Sequence, residues 1–146
     1  MIGATRGPDD EAIVESLRDM CRRLDVKVEF MINKPRNEIL ELFQRAKVAI
    51  HTMREEHFGI SIVEMMSAGL IVIAHASAGP KMDIIGASHN PVGYLATDES
   101  QYTKLLLNAM NEFDSHAHKE MRQNARTHVV DEFGIAQFNT KFVSMI

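Results

Sequence analysis

The segment Glu56-His-Phe-Gly-Ile-Ser-Ile-Val-Glu64 carries the residue types best suited to chemistry in this chain. One carboxylate stands just before a stretch of helical pattern, and a second lies about one and a half turns inside it. Gly59 falls between them, at the turn into the helix. The backbone amides of Phe58 to Ser61 precede any carbonyl that could satisfy them within the helix, so this end is a natural anion site. Without a side chain at Gly59, a ligand can approach the backbone closely. A diphosphate fits such a site, and a carboxylate beside it can hold sugar hydroxyls through charge-assisted hydrogen bonds. The plainer reading makes Glu56 a solvated loop charge and Glu64 a helix-surface residue. For Glu64 the helical spacing speaks against that, because Ile60 and Ala68, one turn to either side, are both apolar. A carboxylate on that face needs a partner.

The elements that must position these residues follow from the pattern of short apolar runs and helical stretches. Met1 to Ala4 reads as the end of a strand, and Asp9 or Asp10 as the cap of a helix reaching about Leu24. That helix has Ala12, Ile13, Leu17, Met20, Cys21 and Leu24 on its buried face. Val26 to Ile32 alternates as a strand does. After Asn33-Lys-Pro35, a helix buries Ile39, Leu40, Leu42, Phe43 and Ala46. Val48 to Ile50 is a short strand, Gly59 to Ala68 a helix ended by Gly69, and Leu70 to Ala74 a wholly apolar central strand. Ala76 to Pro80 is a loop of small residues, and Val92 to Ala96 a last strand. Asp98 or Ser100 caps a helix burying Tyr102, Leu105, Leu106, Ala109, Met110 and Phe113. Helices near 115–132 and 135–145 form a helical tail. The first of them carries His116, His118, Lys119, Arg122, Arg126 and His128, and is read as a solvated helix in preference to a face for anionic lipid. The expected fold is therefore α/β, a Rossmann-like parallel sheet flanked by helices. In such sheets ligands sit beyond the carboxyl ends of the strands. The loops Ala4–Asp9, Asn33–Asn37, His51–Gly59 and His75–Asp83 are the ones to read.

Composition narrows the function classes. The chain has 146 residues, 45% hydrophobic and 25% charged, enough for one globular domain with a core. A net charge of −4 is the wrong sign for a nucleic-acid binder. The amino terminus lacks the apolar stretch of a signal peptide, and no apolar run reaches the length of a membrane span. Membrane attachment is expected from chain outside this segment. The lone Cys21 cannot form an internal disulfide and is read as a structural residue on a helix. His51, His57 and His75 could converge, yet none pairs at i, i+4 spacing and no Asp-x-Asp occurs, so no metal is expected.

Glu56 and Glu64 with seven residues between, followed by Met65-Met-Ser-Ala-Gly69, resemble the donor-site signature of the large retaining glycosyltransferase family with two Rossmann domains, the GT-B fold. The loop Ser77-Ala-Gly-Pro80 also matches, with Ala78 where the family commonly has a second glycine. Within the family, His51 to Glu64, Ala74-His-Ala-Ser-Ala-Gly-Pro-Lys-Met-Asp-Ile-Ile85 and the opening Ile2-Gly-Ala-Thr-Arg6 are similar to the eukaryotic α-1,2-mannosyltransferases of dolichol-linked oligosaccharide synthesis.

The resemblance implies roles for particular residues. Glu56, the catalytic candidate, would hold donor-sugar hydroxyls near the reacting carbon. Amides of Phe58, Gly59 and Ile60 would contact the sugar, and those of Ile60 and Ser61 the diphosphate. His57 would touch phosphate or sugar, or is simply exposed. Glu64 would bind the ribose hydroxyls. Asn33, Lys34 and Pro35 would lie beside the base, and Gly79, Pro80 and Lys81 would line the far side. The implied donor is GDP-mannose and the implied acceptor a lipid-linked oligosaccharide at the cytosolic face of the endoplasmic reticulum, in N-glycan precursor synthesis. Related enzymes manage without a divalent metal. Residues 1–146 are expected to form the donor-binding domain, shortened by a β/α unit that would precede Met1 and carry a phosphate-gripping Arg and Lys. The acceptor domain is expected to lie outside the segment, leaving it inactive alone. A nucleotide-sugar epimerase and a nucleotide-sugar-binding module without transfer remain as alternatives.

Overall fold

The computed structural model describes residues 1–143, apart from the side chains of Phe138, Thr140, Lys141 and Phe142. The chain divides into two compact units, Met1–Leu42 and Phe43–Ile146. In the first, β1 (Ile2–Gly3) pairs in parallel with β2 (Met31–Ile32), joined through helix α1 (Pro8–Arg23). Helix α2 (Arg36–Arg45) follows and carries the chain across the division between the units. The second unit holds β3 (Val48–His51), α3 (Ile60–Ala68), β4 (Ile71–His75), a π-helical turn at Pro80–Ile84, β5 (Tyr94–Ala96), α4 (Glu99–Asn111), α5 (His116–Phe133) and α6 (Ile135–Val143). Its three strands run in parallel in the order β3-β4-β5. Parallel strands, flanking helices and a helical end agree with the expected α/β class. The last two residues of the helix expected at 135–145 lie outside the described residues. Among the described residues no helix is long and apolar enough to cross a membrane.

β4 is the centre of the second unit. Leu70 to Ala74 are all buried, as an inner parallel strand with both faces covered must be. Ile71 packs with Ala109 of α4 and Met121 of α5, and Val48, Tyr94 and Phe113 close around them. Each large apolar side chain removed from water there contributes about 1.5–3 kcal/mol. Ile62, Met65 and Met66 bury one side of α3, and Gly69, at φ 86°, turns the chain out of the helix, its amide and that of Leu70 bonding back to Met66 and Met65 carbonyls. The Asp98 carboxylate accepts from the Gln101 amide at 2.9 Å and caps α4 as expected.

Several local expectations change. α1 begins at Pro8 with Gly7 as its cap residue, while Asp10 reaches back to the Arg6 amide at 2.8 Å. Proline suits a first helical position, where no amide is needed. The apolar face of α1 is not buried: Ile13, Met20 and Leu24 are 59%, 43% and 65% exposed. Two strands of two residues offer too little surface to cover it, and no residue from 1 to 42 is buried. The strand expected over Val26 to Ile32 shrinks to Met31–Ile32 for the same reason: β1 has only two residues to pair with. The reading of α5 as solvated also fails in part. His118 is 2% exposed, its ring nitrogens 2.7 Å from the Tyr94 hydroxyl and 2.8 Å from the Glu112 carbonyl. Arg122 lies over the Phe113 ring and donates to the Phe113 carbonyl, and Arg126 donates to the Ala68 carbonyl. These cations fasten α5 to its neighbours.

Candidate functional site

The loop between β3 and α3 closes on Gly59. Its φ of 100° and ψ of 55° belong to the left-handed region, which a residue with a Cβ enters at a cost. A Cβ there would also stand 2.9 Å from Ile62 Cδ1 and 3.3 Å from Glu56 Cγ. The glycine therefore serves both the turn and the placement of Glu56. The Gly59 carbonyl accepts from Ile62 and Val63 at 2.9 and 3.3 Å, starting the α3 ladder. The amides of Ile60 and Ser61 lie ahead of that ladder, at the positive end of the helix dipole. Among the described residues no side chain caps the start of α3.

A second loop, after β4, is fastened to the first. The Gly79 amide donates to the Glu56 carbonyl at 3.0 Å, and the Glu55 amide donates to the Ser77 hydroxyl at 3.0 Å. His75 Nδ1 lies 2.8 Å from that same hydroxyl. Gly79 is so close to the neighbouring loop that a Cβ would lie 2.4 Å from the Phe58 carbonyl oxygen and 2.6 Å from that of His57. Ala78 is held at φ 37°, in the left-handed region where glycine fits without penalty. The sequence reads Ala76 to Pro80 as a loop of small residues. Instead Pro80 begins the π-helical turn, its carbonyl accepting from Ile85 at 2.9 Å. Pro80 is buried, whereas Lys81, Met82 and Asp83 are exposed on the turn.

Glu56 itself is half-buried and lies beside His51, the last residue of β3, with Oε2 and Nε2 3.4 Å apart. The Tyr102 hydroxyl, from α4, donates to the His51 carbonyl at 2.9 Å. Burial pushes the Tyr102 phenol up from its ordinary range. On the other side of the loop, the Phe58 ring meets Phe133 of α5 edge to face at 5.4 Å, and Phe133 meets His128 in the same manner at 5.8 Å. His128 also reaches the Ile84 carbonyl at 3.0 Å, tying α5 to the π-helical turn. His57 is exposed and Glu64 half-buried. Among the described residues no three His, Cys, Asp or Glu side chains gather as a metal-ion site.

Glu56 to Ser61 thus span the loop after β3 and the start of α3, and Gly79 to Lys81 the end of the loop after β4 and the start of the π-helical turn, the two loops being bonded to each other. Asn33, Lys34 and Pro35 belong to the first unit. Asn33 adopts φ 54°, and its side chain accepts from the Thr5 amide at 2.9 Å and donates to the Thr5 hydroxyl at 2.8 Å. Its carboxamide is thereby committed to joining the loops after β1 and β2. Lys34 pairs with Glu38 at 2.8 Å, and that hydrogen bond, then the charge of Glu38, raises the Lys34 pKa. Sequence reasoning assigned no site role to Ser77, Phe133 or Tyr102, and treated His51 only as a metal candidate. His51 had one visible signal, its place at the end of a strand opening onto the loop. Phe133 and Tyr102 had none, since both come from helices far along the chain.

Comparison with known proteins gives a consistent result. The model of the family described as "Glycosyl transferases group 1" matches residues 4–128. A Homo sapiens protein named GDP-Man:Man(3)GlcNAc(2)-PP-Dol alpha-1,2-mannosyltransferase is 36% identical over 149 residues, covering 100% of this chain. A Dictyostelium discoideum protein of the same name is 35% identical over 148 residues. The chain spans 30% and 28% of these relatives' lengths. Among solved structures, Anabaena HepE in complex with UDP and glucose superposes with a TM-score of 0.81 at 20% identity, over 99% of this chain and 38% of that one. WaaG, a glycosyltransferase involved in lipopolysaccharide biosynthesis, gives 0.71 at 20% identity, over 96% and 35%. At such identities these likenesses speak for the fold.

Proposed function

The chain belongs to group 1 of the glycosyl transferases, and from that premise we propose that it is the donor-binding segment of a retaining enzyme that moves mannose from GDP-mannose to a dolichol-linked oligosaccharide. The observation that carries this reading is the pair of bonded loops. Gly79 holds the Glu56 backbone while Gly59 turns the chain into α3, so that a carboxylate and a helix amino terminus stand side by side. In the reaction, the bond between the mannose anomeric carbon and the diphosphate breaks, and negative charge grows on the GDP leaving group. The first-turn amides of α3 stabilise that charge without reorganising, a role that a divalent cation fills in other folds. Glu56 orients the sugar through its hydroxyls, with amides of Phe58, Gly59 and Ile60 beside it. Ile60 and Ser61 take the diphosphate, Glu64 the ribose, and His57 a phosphate or sugar oxygen. By resemblance to the family, Asn33, Lys34 and Pro35 of the first unit are assigned to the base, and Gly79, Pro80 and Lys81 of the second unit to the donor. For Asn33 only the backbone is offered, because its side chain is engaged with Thr5.

Guanine, mannose and the dolichol-linked acceptor are supported by the names of the relatives, and with them the cytosolic face of the endoplasmic reticulum and N-glycan precursor synthesis as the setting. The epimerase alternative loses its ground, because the family matched is one of transferases. An amide-NMR titration of this chain with GDP, UDP and GDP-mannose tests the reading. Shifts centred on residues 56–64 and 77–83, larger for the guanine nucleotides, are expected. A folded sample that responds to none of the three refutes it.

A further inference from the structure

His51 ends β3 in register with Ala74 of β4, and its carbonyl is held by the Tyr102 hydroxyl. The ring is therefore carried by a backbone fixed from two neighbouring elements. Its side chain is 15% exposed, and Nε2 lies 3.4 Å from Oε2 of Glu56, itself 21% exposed. Among the described residues the other ring nitrogen, Nδ1, is buried with no hydrogen-bond partner. That asymmetry selects a tautomer. A proton on Nδ1 would be a buried donor with nothing to receive it, whereas an idle lone pair there costs less. With the proton on Nε2, the donor points at the carboxylate.

Resting on the donor reading above, we propose that His51 is a positioning residue for sugar recognition: its Nε2–H holds Oε2 of Glu56, so that the carboxylate presents Oε1 and a remaining lone pair to the hydroxyls of the bound hexose. The backbone of Glu56 is held separately, by the Gly79 amide at 3.0 Å. Main chain and carboxylate are thus approached separately, from the loop after β4 and from the end of β3. The gap of 3.4 Å is longer than a formed hydrogen bond and shortens when the sugar enters. The role concerns the hexose alone, so it separates a nucleotide sugar from its nucleotide.

Calorimetric titration of this chain with GDP and with GDP-mannose tests the proposal, using wild type, His51→Leu, His51→Gln and Glu56→Gln. His51→Leu weakens GDP-mannose about tenfold, as loss of a hydrogen bond to a charged group does, and leaves GDP within about twofold. His51→Gln, which retains an N–H donor of similar reach, restores most of the affinity. In the Glu56→Gln background His51→Leu adds no further loss. Equal weakening of both ligands by His51→Leu, failure of glutamine to rescue, or additive losses overturns the proposal. If wild type binds neither ligand, the donor reading fails, and the tether is judged on the imidazole nitrogen-15 spectrum. A proton on Nδ1, or ring signals indifferent to Glu56→Gln, overturns it there.

Discussion

Replacing Gly79 by alanine would drive a methyl group into backbone. The added Cβ stands 2.4 Å from the Phe58 carbonyl oxygen and 2.6 Å from both the His57 carbonyl oxygen and Phe58 Cα. Carbon–oxygen contacts settle at about 3.3–3.6 Å, so the loop has to retreat by about 1 Å. No rotamer relieves the clash, because the atoms met are main chain, and the loop is bonded to this same residue through Glu56 at 3.0 Å. Gly79 itself has φ −51° and ψ −50°, a conformation that alanine adopts freely, so the effect is steric alone. Overpacking of this kind costs about 1–3 kcal/mol. If the loop stays in place, the strain lowers Tm by about 2–4 °C per kcal/mol. If the loop withdraws, the strain is released at the expense of the site, and affinity for GDP-mannose falls by about 5- to 150-fold. Thermal unfolding and calorimetric titration of the same sample read both outlets. Gly7→Ala is the control: its φ of 177° is ordinary extended backbone and no atom of the described residues lies within 4 Å of the added Cβ. A Gly79→Ala chain with wild-type Tm and wild-type affinity would refute the reasoning that this contact sets the loop.

Glu64→Ala removes the proposed ribose partner, so calorimetry is expected to give about tenfold weaker binding of GDP and GDP-mannose alike; unchanged GDP affinity contradicts the role. His118→Leu leaves the Glu112 carbonyl without its ring partner and takes one from the Tyr94 hydroxyl, at a position 2% exposed. Urea unfolding should then show a loss of about 2–3 kcal/mol, and a loss below ~0.5 kcal/mol would mean that the network is dispensable. Both tyrosines, Tyr94 and Tyr102, have pKa values raised by burial, Tyr94 also by the charge of Glu112. The fold favours the neutral phenols, so this contribution is complete below the ordinary phenol range and is lost as pH rises through the raised values. An ultraviolet titration should find no phenolate forming at the ordinary pKa until the chain unfolds, and a tyrosine titrating there would contradict the burial.

The sequence by itself determined the parallel α/β class, the buried run at Leu70 to Ala74, the Gly69 stop of α3, the Asp98 cap and the carboxylate pair around Gly59. These are local matters: periodicity, capping chemistry and one unusual backbone angle, each written within a few neighbouring residues. Tertiary structure alone decided which side chains surround the site. Gly79 reads in the sequence as a loop residue, and only the packing of one loop on another shows that its hydrogen atom faces the Phe58 carbonyl. His51 looked like an unplaced histidine until the end of β3 brought it beside Glu56, and Phe133 supports Phe58 from a helix more than seventy residues on. The apolar stripe of α1 shows the reverse case. Its periodicity is sound, yet burial depends on a surface to cover it, and a pair of two-residue strands supplies too little. Periodicity states which face a helix can bury; the area and distance of its neighbours decide whether it does.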